Sequence, residues 1–295
     1  MKQHDLDAIV VGAGFGGIYT LKKLRDMGLS VLAIDAAGDV GGTWYWNRYP
    51  GAMSDTQAHI YRYSWDKEDL QNYPWKDHYV KQPDVLAYLS HVVERYDLRK
   101  NMQFNTELTE AHWDDSKQKW VVQTSTDETF TARYVVTALG LLSKRNFPDI
   151  PGLNTFSGEM YHTGAWPKEY DFAGKRVGII GCGSTGVQVI TQLGKEDKVK
   201  SLLCFQRTPQ YSVPSGDGPV SKEYREKINA RYPEIWDQVK NSIVSFGFEE
   251  SMVPCMSVSP EERQRVFQEN WDKGNGFRFM YVRDSSRDVS VLCVT

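Results

Sequence analysis

Two glycine-rich turns lie 169 residues apart, and each comes after a short apolar run and opens a helical pattern. Ala8-Ile9-Val10-Val11 leads into Gly12-Ala13-Gly14-Phe15-Gly16-Gly17, after which Ile18, Leu21 and Leu24 recur at helical spacing. Arg176 to Ile180 leads into Gly181-Cys182-Gly183-Ser184-Thr185-Gly186, continued by Val187, Ile190 and Leu193. A strand, a tight turn and a helix in that order let backbone N–H groups approach a pyrophosphate at the positive end of the helix. The chain is therefore expected to be an α/β protein built on two dinucleotide-binding, Rossmann-like domains.

The end of the second strand distinguishes the two units. In the first, Ser30 to Ile34 ends at Asp35, an acid placed to accept from ribose hydroxyls. The corresponding strand of the second unit, Val199 to Phe205, ends in Gln206-Arg207. A cation there fits a 2′-phosphate, so the second site is expected to prefer NADPH to NADH.

Between the turns, Gly41 to Trp65 is crowded with aromatic rings and too polar for a plain strand. Pro83 stands at a helix start, and Leu86, Leu89, Val93 and Tyr96 mark one apolar face to about Leu98. Alternating runs from Met102 to Tyr134 predict a β-meander, and Tyr134 to Leu142 a further buried strand. Phe147-Pro148-Asp149-Ile150-Pro151-Gly152 reads as a rigid linker. Near the end, Tyr224, Ile228, Tyr232, Ile235 and Trp236 share one amphipathic segment. Ser259-Pro260-Glu261-Glu262 forms a capping box for a helix stopping near Gly274.

A net charge of -3 over 295 residues gives no general attraction to nucleic acid or anionic membranes. The four cysteines, Cys182, Cys204, Cys255 and Cys293, have neither metal-site nor C-x-x-C spacing. No metal is expected, and a disulfide reductase of similar architecture would need a redox pair. No signal peptide or membrane-length run is seen, so the expectation is a cytoplasmic, monomeric protein.

Phe156-Ser157-Gly158-Glu159-Met160-Tyr161-His162-Thr163-Gly164-Ala165-Trp166-Pro167 lies between the units. Its pattern of Phe156, Gly158, His162 and Trp166-Pro167 resembles the fingerprint of type I Baeyer–Villiger monooxygenases. Gly42-Thr43-Trp44-Tyr45-Trp46-Asn47-Arg48-Tyr49-Pro50-Gly51, Asp55-Thr56, Tyr211-Ser212-Val213-Pro214, Val253-Pro254 and Gly276-Phe277-Arg278-Phe279-Met280 resemble its cyclohexanone monooxygenase branch. The resemblance implies FAD and NADPH as cofactors and a ketone with O2 as substrates, cyclic ketones in particular. It implies FAD contacts from Gly12, Gly14, Phe15, Gly17, Asp35, Thr43, Trp44, Trp46, Asp55, Tyr61 and, through its backbone, Leu108. For NADPH it implies Gly181, Gly183, Ser184, Thr185, Gly186, Gln188, Gln206 and Arg207. Oxygen insertion needs positive charge in a dry pocket. The family supplies it as an arginine oriented by an acid at the position of Asp55, which makes Asp55 the expected catalytic residue. His162 has two readings, a hydrogen-bonded structural histidine or a residue coupling the domains.

The expected organisation is an FAD domain over 1–145, a linker over 146–170, the opening of an NADPH domain over 171–220, and a helical segment with a divergent tail over 221–295. The resemblance runs from about Asp5 to Met280 and not through Tyr281 to Thr295. The chain is accordingly expected to be truncated, with both domains lacking their C-terminal completion. Two alternatives stay open: a related flavin monooxygenase acting on amines or sulfides, and a catalytically inactive fragment that keeps nucleotide-binding elements.

Overall fold

The computed structural model describes residues 3–195, 199–242, 245, 253–274 and 292–294. Expectations for Gly276 to Met280 and for 281–291 lie outside them. In chain order the elements are β1 (Gln3–Val11), α1 (Phe15–Asp26), β2 (Val31–Ile34), α2 (Thr43–Trp46), β3 (Met53–Gln57), α3 (Lys67–Asn72), β4 (Tyr79–Lys81), α4 (Gln82–Arg95) and β5 (Met102–Gln103). Next come β6 (Leu108–Asp114), β7 (Lys119–Thr124), β8 (Thr129–Thr137), β9 (Arg176–Ile180), α5 (Ser184–Lys195), β10 (Ser201–Phe205), β11 (Tyr211–Val213), α6 (Lys222–Ala230), α7 (Tyr232–Asn241), α8 (Pro260–Lys273) and β12 (Leu292–Val294).

They form two compact units, Met1–Arg48 with Gln82–Glu169, and Tyr49–Lys81 with Tyr170–Thr295. Residues 49–81, expected from sequence in the first domain, thus cluster with the second. Residues 146–169, expected as linker, cluster with the first.

The first unit is a Rossmann-like mixed sheet of order β5-β2-β1-β8-β7-β6, parallel from β5 to β8 and antiparallel beyond. Ala8, Ile9 and Val10 are fully buried, as an unbroken apolar strand must be when both faces of a parallel sheet are covered. Ile9, Val11 and Ile34 meet Val122, Phe130 and Ala132 of the meander, with Leu108 and Trp120 packed around them. In α4 the residues Val85, Tyr88, Leu89, Val92 and Val93 are buried at helical spacing. Arg25 of α1 donates to the carbonyls of Tyr96 and Asp97 just past the end of α4, at 2.5 and 2.7 Å.

The meander is present, but the separate buried strand expected over Tyr134 to Leu142 is not. Residues 134–137 are the second half of the nine-residue β8, and the strand stops at Thr137. Tyr134 is 46% exposed and Leu141 fully so. β1 satisfies the hydrogen bonds of this half-strand without covering its faces.

In the second unit β9 and β10 pair in parallel, with α5 joining them, and β3 pairs antiparallel with β4. The amphipathic segment expected over Tyr224 to Trp236 is two helices. α6 starts on Ser221, whose hydroxyl accepts the Tyr224 N–H at 3.1 Å. Its end at Arg231 results from Pro233, which has no N–H to offer a helix continuing through it. α8 keeps its expected cap, with Ser259 accepting the Glu262 N–H at 3.2 Å and Gly274 closing the helix at φ +66°.

Among the described residues no helix is long and apolar enough to cross a membrane, and no cluster of three or more His, Cys, Asp or Glu could hold a metal. Cys182 and Cys204 form no disulfide, and the Cys182 thiol donates to the Thr208 carbonyl at 3.4 Å.

Candidate functional site

The first glycine turn is shaped by contacts that exclude side chains. A Cβ on Gly12, at φ +111°, would stand 2.4 Å from the Ala138 carbonyl oxygen, and one on Gly17 1.7 Å from that of Gly12. β1 therefore passes directly into α1 at the point where the parallel sheet continues to β2 on one side and β8 on the other. Such a switch point is where open α/β sheets hold ligands. α1 has Gly14 at its N-cap and no side-chain cap, leaving its first N–H groups to an outside acceptor.

The second glycine pair is welded onto this turn. The Gly41 N–H donates to the Ala13 carbonyl at 3.0 Å, and a Cβ on Gly42 would lie 2.9 Å from the Gly14 Cα. Thr43, Trp44 and Trp46 come next on α2, with Thr43 exposed, Trp44 buried and Trp46 partly exposed. The Asp35 carboxylate accepts from the Ala13 N–H at 2.6 Å and the Ala37 N–H at 2.7 Å. It is thus a brace for the turn, and each oxygen keeps a further lone pair for a hydroxyl. The Thr106 N–H donates to the Asp35 carbonyl, which brings the start of β6, and with it Leu108, toward the same end of the sheet. Gly12, Gly14, Phe15, Gly17, Asp35, Thr43 and Trp44 lie together around this turn. Asp55 and Tyr61 belong to the other unit.

The second turn repeats the first in detail. α5 starts three residues after Gly181 and is 12 residues long, as α1 starts three after Gly12 and is 12 long. Gly181 sits at φ +104°, and a Cβ on Gly186 would be 2.3 Å from its carbonyl oxygen. The Gly12 N–H donates to the Ile34 carbonyl and the Gly181 N–H to that of Phe205, both at 2.8 Å. Asp35 and Gln206 therefore occupy equivalent positions, one residue past the second strand of each unit. Where Asp35 braces its turn, Gln206 and Arg207 are exposed. Gly183, Ser184 and Thr185 lie at the start of α5.

Gln188, expected as a cofactor contact, lies on α5 behind the second turn. It is 95% buried, and its carboxamide pairs with the backbone of Met53 like a neighbouring strand, Oε1 accepting from the N–H at 3.4 Å and Nε2 donating to the C=O at 3.2 Å. The remaining Nε2 proton goes to Asp55 Oδ1 at 3.3 Å, and Oε1 also accepts from the Tyr49 hydroxyl at 2.9 Å. Gly51, at φ +81°, makes this approach possible, since a Cβ there would lie 2.6 Å from the Gln188 carbonyl oxygen. Burial pushes the Asp55 carboxyl up to about 6, only partly offset by the Gln188 hydrogen bond. Tyr49 and Gly51 were not singled out from sequence as site residues. Their signal was the Tyr49-Pro50-Gly51 turn, which names no partner.

In the fingerprint stretch His162 Nδ1 accepts the Gly164 N–H at 3.0 Å, and Nε2 lies 3.3 Å from the Asn146 carbonyl oxygen. A neutral ring carrying its proton on Nε2 satisfies both. Its ring also meets Phe147 edge-on at 5.0 Å. Phe156 is exposed and folds over Gly158, where a Cβ would be 2.7 Å from its ring. Trp166 stacks at a tilt against Tyr161.

Residues 7–209 match the model of the flavin-binding monooxygenase-like family. The chain is 53% identical over 281 residues to cyclohexanone 1,2-monooxygenase of Acinetobacter sp, covering 95% of this chain and 51% of that protein. It is 51% identical, also over 281 residues, to the phenazine N-monooxygenase PhzNO1 of Lysobacter antibioticus, with the same coverage. Among solved structures, cyclohexanone monooxygenase from Rhodococcus sp. Phi1 bound to NADP+ superposes with a TM-score of 0.91 at 56% identity, over 95% of this chain and 52% of that one. The chain spans about half the length of the curated relatives it matches. With two glycine turns built alike and a family match across both, the chain belongs to the flavin-binding monooxygenase-like family.

Proposed function

We propose that this chain carries the nucleotide-binding machinery of an FAD- and NADPH-dependent monooxygenase that inserts one atom of O2 beside a ketone carbonyl to give an ester or lactone, with cyclic ketones as substrates. The observation that carries the reading is the repeated strand–turn–helix with opposite chemistry at one equivalent position, Asp35 in one unit and Gln206-Arg207 in the other. Bound flavin would supply the oxygen chemistry and NADPH the hydride. The residues divide the remaining work. Gly12, Gly14 and Gly17 admit the FAD pyrophosphate to the start of α1, and Asp35 holds its ribose. Gly181, Gly183 and Gly186 do the same for NADPH with Ser184 and Thr185. Asp55, as a carboxylate, orients positive charge. In domain terms, 1–145 opens the FAD domain, 171–220 the NADPH domain, and 221–295 begins with a helical insertion.

Arg207 gives the coenzyme preference. Arg207→Ala is expected to weaken NADPH on the order of tenfold or more and NADH hardly at all, because one charge-assisted contact of roughly 1.5–3 kcal/mol is removed. Equal losses for both coenzymes in binding titrations would assign the 2′-phosphate to another residue.

The overall reading is tested by supplying the native gene product, purified with FAD, with NADPH, air and cyclohexanone. Caprolactone should appear in step with NADPH consumption. Phenazine belongs in the same assay, since a phenazine N-monooxygenase is nearly as similar as the cyclohexanone enzyme of Acinetobacter sp; N-oxide without lactone would move the reading to nitrogen oxidation.

A second reading, that these 295 residues alone bind nucleotide without oxygenating, is favoured by one observation. Ile180, Leu203 and Phe205 of β9 and β10 are 60, 61 and 55% exposed. Apolar strands left open to water favour association over a defined site. The 295-residue polypeptide by itself is accordingly expected to bind FAD weakly and to make no lactone, whereas joining it to the second half of the Acinetobacter relative should restore turnover. Lactone from a preparation shown by mass to end at Thr295 would discard this second reading.

A further inference from the structure

We propose that Tyr49 is a positioning residue for Asp55, acting through the Gln188 carboxamide. The hydrogen bonds run in one direction. Thr185, in the first turn of α5, is in hydrogen-bonding contact with Tyr49. The Tyr49 hydroxyl donates to Gln188 Oε1, and Gln188 Nε2 donates to Asp55 Oδ1. Orientation of the carboxamide is not arbitrary, because the Met53 N–H can only donate and the Met53 C=O can only accept. With Tyr49 in place, both lone pairs of Oε1 and both protons of Nε2 are used.

The Met53 N–H contact, at 3.4 Å, is long, so Tyr49 provides the shorter of the two bonds that hold Oε1. Without it the carboxamide is anchored only by long contacts, and its bond to Asp55 should loosen. Tyr49 is itself largely buried, which raises its own pKa, and it is a titratable neighbour coupled to Asp55 by charge. It therefore acts as a neutral donor at working pH. The chain of contacts also begins on a residue expected to meet the nucleotide, which ties the carboxylate mechanically to the helix behind the second glycine turn. The value of this placement for turnover rests on the monooxygenase reading, but the placement can be measured without turnover.

The experiment tracks the carboxyl-carbon resonance of Asp55 through a pH titration of the 13C-aspartate-labelled chain, the signal being assigned by its loss in Asp55→Asn. Gln188→Leu removes the donor to the carboxylate and should raise the titration midpoint. Tyr49→Phe keeps the ring and removes only the hydroxyl. Its midpoint should rise in the same direction, by about half a unit, as expected for weakening one neutral hydrogen bond. A Tyr49→Phe titration that overlays wild type while Gln188→Leu shifts would overturn the proposal. So would two shifted variants of which Tyr49→Phe moves downward. Gln188→Asn, which keeps a carboxamide on a shorter stem, guards against a packing artefact: it should shift like Gln188→Leu, and a wild-type midpoint in it would also count against the mechanism. Failure of lactone formation in the native protein would leave these midpoints unaffected, so the two readings fail separately.

Discussion

Gly17→Ala should weaken FAD binding by about 100-fold or more, while Gly16→Ala, one residue earlier, should be nearly silent. The difference is geometric. An added Cβ at Gly17 meets the Gly12 carbonyl oxygen at 1.7 Å, backbone against backbone, with no flexible side chain able to give way. At Gly16 the nearest atom is the Ala138 Cβ at 3.8 Å, an ordinary contact. Relieving the first clash means prising α1 off the end of β1, which displaces the N–H groups the pyrophosphate would use. Overpacking of this kind costs roughly 1–3 kcal/mol or more, and about 1.4 kcal/mol is a factor of ten in affinity. Flavin fluorescence titration of both variants decides the matter: comparable affinity in the two would remove the first glycine turn from FAD binding.

Asp55→Asn should retain FAD but lose oxygen insertion by about 100-fold, the usual scale for deleting one electrostatic element at a reacting centre. Because burial lifts Asp55 to about 6, wild-type activity should also rise as pH increases through that value, and the variant should lack this limb. Stability carries the opposite sign. The folded-state value lies above the ordinary 3.8, so between the two the folded chain holds the proton that the unfolded chain releases. The contribution of Asp55 to folding stability is then fully present below about pH 4 and is lost as pH rises through about 6. At neutral pH Asp55→Asn should therefore be the more stable protein, by up to about 2 kcal/mol, with the gain vanishing near pH 4. Thermal unfolding at the two pH values measures it. An unchanged ester yield would remove Asp55 from the mechanism, whatever the stability data show.

The parts legible in sequence were those whose causes are local. The glycine turns, the strand before each, the α8 capping box and the acid against arginine contrast all depend on residues within one strand–turn–helix–strand unit or less. The placement of residues 49–81 was not legible, because its cause is a contact between Gly51 and a helix that arrives more than 130 residues later. The same separation hid the role of Gln188: nothing in Ser184 to Lys195 says that this amide will serve as a false strand for Met53. Tyr134 to Leu142 misled for a different reason. An apolar run implies something to pack against, and among the described residues the far half of that run has nothing over it. The break at Arg231 could have been read from Pro233, which the amphipathic spacing outweighed.

β8 also fixes a timetable. Ala8–Val11 acquires a neighbour as soon as Val31–Ile34 emerges, but the other edge of residues 3–11 waits for residues 129–137, with Gln3 paired to Thr129 and Val11 to Thr137. Until then a growing chain on the ribosome holds the Ala8–Val11 run with one side unzipped for about a hundred residues of synthesis. Pairings of such sequence separation form late and slowly, and an open apolar edge is what chaperones engage and aggregates recruit. Yield of soluble protein should thus respond to translation speed and chaperone supply while residues 34–137 are being made, which the soluble fraction with and without added chaperone measures.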